Sequence, residues 1–85
     1  PYELYGELLL GLGKTEEARE KFEASLLRMP KRTHSLLGAA EAAVASGDRS
    51  AAREYYATLL EFWQGSSEHP GIQEAKRFTT ENQEE

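Results

Sequence analysis

The 85-residue chain has no cysteine and only one valine, one isoleucine, one aspartate and one tryptophan. Without a thiol there can be no disulfide and no Cys-based zinc site. A single apolar core must hold the chain, close to the size at which one core is just sufficient. The missing cysteine leans slightly toward a cytoplasmic location and excludes no other. Long hydrophobic runs are also absent. Leu8-Leu9-Leu10 is interrupted at Gly11, far short of the ~20 apolar residues of a membrane span, and no stretch reads as a signal peptide. Bases are outnumbered, with 10 Lys and Arg against 15 Asp and Glu for a net charge of −5. That balance argues against nucleic acid as the main partner. A start at Pro1 rather than Met suggests a piece of a longer or processed chain.

What is abundant is helix-forming. Eleven Ala and eleven Leu accompany many Glu, Arg and Lys, residues that lose little rotamer freedom in a helix. No window sustains an alternating strand pattern. The fold is therefore expected to be all-α.

Punctuation divides the chain into five helices. The first covers about residues 2–12, with Leu4, Leu8 and Leu12 on one stripe and Tyr5 and Leu9 beside it; Gly11 and Gly13 mark its end. Thr15 is placed to cap the second, whose Ala18, Phe22, Ser25, Leu26 and Met29 form its small or apolar face and which Pro30 closes. Thr33 is placed to cap a third, narrow, alanine-rich helix over about 34–46. Asp48 or Ser50 starts a fourth over about 49–64, where Ala52, Tyr55, Tyr56, Leu59, Leu60 and Trp63 give a broad apolar face. Pro70 suits the first turn of a short last helix over about 70–79, with Ile72, Ala75 and Phe78 on one side. Residues 79–85 carry no apolar side chain and read as a solvated acidic tail.

A shift of 34 residues lays 1–30 over 35–64 with six identities: Glu7/Glu41, Gly13/Gly47, Ala18/Ala52, Arg19/Arg53, Glu20/Glu54 and Leu26/Leu60. So biased a composition gives about three by chance, and the placement says more than the count. Gly6/Ala40 keeps a small residue, Phe22/Tyr56 keeps an aromatic, and each shared glycine falls between two helices. In this order of small and aromatic positions the chain resembles the tetratricopeptide repeat, a 34-residue helix-turn-helix unit. The first copy carries Tyr2, Tyr5-Gly6, Leu9, Gly13, Ala18, Phe22 and Pro30; the second carries Leu36, Ala40, Gly47, Ala52 and Tyr56. Ala39 and Ala43 replace large residues there, and Gln64 replaces the closing proline, so the fourth helix is expected to run on.

The resemblance implies a solenoid of two antiparallel helix pairs, repeat one over 1–30 and repeat two over 35–64, plus a capping helix at about 70–79. The helical domain would span 1–78 and the tail 79–85. The chain also resembles the C-terminal end of longer bacterial proteins with such repeats. Each helix pair leaves an apolar face that only a neighbour can cover. An open N-terminal edge at Tyr2, Tyr5 and Leu9 would then be available for self-association.

Catalytic chemistry finds no constellation. Asp48 sits where a helix cap belongs. His34 and His69, the only imidazoles, have no sequence-local nucleophile, and no serine lies in a nucleophile elbow. Gly11-Leu12-Gly13-Lys14-Thr15 lacks the upstream strand and first glycine of a phosphate loop. No metal-ligand spacing and no cofactor motif is found. The chain is read as non-enzymatic.

A binding groove remains. In the family the first helix of each pair lines the concave surface. The matching positions here are Glu3, Glu7 and Leu10 on the first helix and His34, Leu37, Glu41 and Val44 on the third. Members that clamp a peptide's terminal carboxylate use Lys, Arg and Asn there, and the glutamates here would repel it. A protein or peptide partner of basic or amphipathic character is the expected ligand. The same glutamates also suit an exposed helical face kept soluble. A structural spacer, a self-association unit or the regulatory appendage of an enzyme are the alternative roles.

Overall fold

The computed structural model describes residues 2–29 and 32–81, with residues 2–5 and 81 described by backbone alone. Five α-helices follow in order: α1 Tyr2–Gly11, α2 Thr15–Arg28, α3 Thr33–Ala45, α4 Arg49–Phe62 and α5 Pro70–Glu81. Each packs on the next, and α3 also reaches back to α1.

The two helix pairs turn by the same device. Gly13 and Gly47 adopt left-handed φ of 79° and 85°, a conformation without steric cost only for glycine. Around the first, Gly13 N–H donates to Leu10 O and Lys14 N–H to Leu9 O; around the second, Gly47 N–H donates to Val44 O and Asp48 N–H to Ala43 O. Both are Schellman turns that satisfy the last helical carbonyls. The next helix starts immediately, so the caps differ from those expected. Lys14 and Arg32 occupy the N-cap positions of α2 and α3 without a side-chain bond. Thr15 and Thr33 are the first helical residues and not caps. Asp48 does cap α4, its carboxylate accepting from Ala51 N–H at 3.1 Å. That bond first, and the Arg19 guanidinium second, hold the Asp48 carboxyl below the usual carboxylate range.

The core has two connected parts. One gathers Leu9, Ala18, Phe22, Ala39 and Ala42; the other gathers Leu36, Ala40, Ala43, Ala52, Tyr56, Leu59, Ile72, Ala75 and Phe78. Phe22 is fully buried between two glycines. Its ring stands 3.0 Å from where a side chain on Gly6 of α1 would begin, and it would overlap one on Gly38 of α3. Tyr56 meets Phe78 of α5 at a centroid distance of 5.3 Å. Across α2 and α3 the buried hydroxyls of Ser25 and Ser35 bond at 2.8 Å.

Four sequence expectations are corrected by the structure. Leu8 and Leu12 are 61% and 63% exposed, whereas Leu9 is 5% exposed. The buried phase of α1 is thus set by Leu9, which abuts Ala18 and Phe22, and Leu9 does not belong to an open edge. Met29 is exposed because α2 ends at Arg28; Pro30, the expected stop, lies outside the described residues. The fourth helix ends at Phe62 and does not run on, since Trp63 turns to an extended conformation with φ −72° and ψ 129°. At the other end α5 continues to Glu81, so Thr79 and Thr80 are helical and not tail; Thr79 Oγ1 donates to Ala75 O at 2.9 Å. Residues 82–85 lie outside the described residues.

Candidate functional site: the cleft between α1 and α3

Residue 7 lies one turn before Leu10 on α1, and His34, Leu37 and Glu41 recur at helical spacing on α3, so each set shares one helical face. Because α1 and α3 lie side by side, the two faces meet along a cleft of about 380 Å³. Its walls are Glu7, Leu10, His34, Leu37 and Glu41, with Gly11 at one end and Phe22 and Gly38 beneath. The glycine is what lets Phe22 form the floor, since any side chain at 38 would collide with the ring.

Five of the seven residues expected in a groove therefore come together. Val44, 38% exposed, lies further along α3 and does not line this cleft. The side chain of Glu3 lies outside the described residues, as do those of Tyr2 and Tyr5. Sequence reasoning assigned Phe22 to packing alone and gave Gly38 no role.

The cleft is electrostatically uneven. His34 Nε2 lies 2.8 Å from Glu7 Oε2, a contact that ties α3 to α1 across the opening. The Glu41 carboxyl is pushed above its ordinary value, first by partial loss of water and then by the Glu7 charge, with His34 and His69 opposing. A carboxylate whose proton affinity is raised by a neighbouring carboxylate marks a place where a cation is welcome. Among the described residues no three His, Cys, Asp or Glu side chains gather as metal ligands. No described helix is long and apolar enough to cross a membrane.

A family model for the tetratricopeptide repeat matches residues 9–69, most of the chain and both of its glycine turns. The chain belongs to the tetratricopeptide repeat family. No curated protein and no solved structure matches it. Tetratricopeptide repeats generally mediate contacts between proteins, and the family is typically non-enzymatic. The all-helical architecture of paired, antiparallel neighbours agrees with that membership.

Proposed function

We propose that the chain is a peptide-binding module whose ligand is a basic or amphipathic segment lying in the cleft between α1 and α3. The observation that carries this reading is the pairing of two carboxylates, Glu7 and Glu41, with apolar Leu10 and Leu37 around one opening. Loss of water is the main cause of the raised Glu41 pKa, and a positively charged side chain would relieve the second cause, repulsion from Glu7. A terminal carboxylate would add a third negative charge to the same space, so carboxylate clamping is disfavoured.

The test is a titration of isotope-labelled protein with one basic and one acidic peptide pool, followed through backbone amide shifts. The expected result is a response to the basic pool alone, centred on Glu7, Leu10, Leu37 and Glu41 and weakened by added salt. The double substitution E7Q/E41Q should abolish the preference for the basic pool. Silence toward both pools refutes the groove and leaves a spacer or self-association role as the better account.

A further inference from the structure

The α1–α3 cleft has a neighbour on the other side of α3. His34 and Leu37 also wall a second cleft of about 390 Å³, under the connector between α4 and α5. There the lining changes character: Leu59, Trp63, His69 and Ile72 complete it with Thr33, and among the described residues no carboxylate, ammonium or guanidinium takes part. Two neighbouring clefts thus share a wall, one doubly acidic and the other aromatic and apolar.

The second cleft is preformed by the connector. Residues 63–69 separate α4 from α5, whereas residues 29–32 suffice between α2 and α3. Trp63 Nε1–H donates to Ser66 O at 3.0 Å, and the indole meets the His69 ring edge-on at 5.3 Å. Gly65 lies so close that a Cβ there would stand 2.5 Å from the indole Cζ2. His69 is itself oriented, its Nδ1 accepting from Gly71 N–H at 3.0 Å. An aromatic wall held in place before binding spares a ligand the cost of ordering it.

The geometry points to a single ligand spanning both clefts: a polypeptide segment with a cationic side chain and, a few residues away, a bulky apolar or aromatic one. The cation sits with Glu7 and Glu41, and the apolar group packs on Trp63 and Leu37, above the buried Leu59 and Ile72. This inference rests on the reading of the α1–α3 cleft as a peptide site and adds to it a second anchor with its own chemistry.

Trp63 is the sole tryptophan, so its emission reports the second cleft, while the amides of Glu7, Leu10 and Glu41 report the first. The probes are short synthetic peptides with two Arg and one Phe, the Phe placed about one to four residues from the nearer Arg in successive versions. Each has a Phe→Ala and an Arg→Gln counterpart. The expected result is that the best parent shifts both reporters. The Phe→Ala peptide should bind about tenfold more weakly and leave Trp63 emission unchanged while still moving the first-cleft amides. The Arg→Gln peptide should also lose about tenfold or more. If parent and Phe→Ala peptides bind equally and neither moves Trp63 emission, the second anchor is refuted while the first cleft stands. If no peptide moves either reporter, both readings fall. A Trp63→Ala variant with unchanged helix content should lose the preference for Phe. Should it not fold, the peptide truncations decide the matter on the unaltered chain.

Discussion

Gly38→Ala sets two opposed effects against each other at a single atom. Residue 38 lies in the interior of α3, and replacing a helical glycine by alanine ordinarily stabilises by about 0.8–1.0 kcal/mol. Here the new methyl would overlap Cε1 and Cζ of Phe22 and stand 2.5 Å from Cδ1. The ring has no direction of escape. It is fully buried, and its opposite edge lies close against Gly6 of α1. Overpacking of this kind costs about 1–3 kcal/mol, and more where nothing can yield. The clash should win, with a net loss of about 1–2 kcal/mol and a fall in Tm of about 5–15 °C for a domain of this size. Thermal and urea unfolding followed by circular dichroism would measure it. Gly11→Ala is the control, since nothing lies within 4 Å of its added methyl, and it should be neutral or slightly stabilising. In a Phe22→Leu background the penalty of Gly38→Ala should shrink or reverse. A Gly38→Ala protein as stable as the parent, or an undiminished penalty beside Leu at 22, would refute the steric argument.

Ser25→Ala or Ser35→Ala each removes one half of a buried hydroxyl pair at 2.8 Å and should cost about 1–2 kcal/mol, the double variant less than the sum; a urea-based double-mutant cycle checks this. Tyr55 donates its hydroxyl to Glu23 at 2.8 Å, and burial foremost, then that bond, pushes its pKa up to about 12. The folded state thus holds this proton more tightly than the unfolded chain. The associated stability is complete below about pH 10 and lost as pH rises through the folded value. Tyr55→Phe should remove that alkaline decline and eliminate a late phenolate transition in an ultraviolet absorbance titration. Glu41, raised mainly by loss of water, favours the folded state when protonated, a contribution lost as pH rises through its elevated value. Glu41→Gln should therefore be more stable than the parent at pH 7, with the difference shrinking toward pH 4 in urea melts; a less stable variant at pH 7 contradicts the sign.

Local chemistry made much of this fold readable. Glycines 34 residues apart required the same left-handed turn, and both make it. Asp48 was a cap by residue type and is one. Phase was harder, because Leu8-Leu9-Leu10-Gly11-Leu12 offers an apolar residue on nearly every side of α1. Which leucine is buried depends on where Ala18 and Phe22 approach, a tertiary fact. Of the cleft, the residues on one helix face followed from spacing alone. The contact between His34 and Glu7 joins two helices and could not be read from either. The Trp63 pocket was invisible for a related reason: Trp63 was placed on the apolar face of the fourth helix, and the pocket depends on how Gly65, Ser66 and His69 fold back on one indole.

Arg19 of α2 donates to Glu23 at 3.0 Å on its own helix and to Asp48 at 2.9 Å in the turn before α4. Glu23 in turn accepts from Tyr55 of α4. These four side chains form an unbroken polar strap from one repeat to the next, and the Arg19 side chain is only 19% exposed. In a linear array, resistance to unfolding is divided between each unit and the joint with its neighbour. Here the joint draws on a buried aromatic floor and the strap together, so peeling away the first pair would strip Arg19 from Asp48 and Glu23 from Tyr55 as it went. Hydrogen exchange should accordingly find the amides of α2 and α4 opening with one shared free energy, and the two repeats behaving as a single cooperative unit.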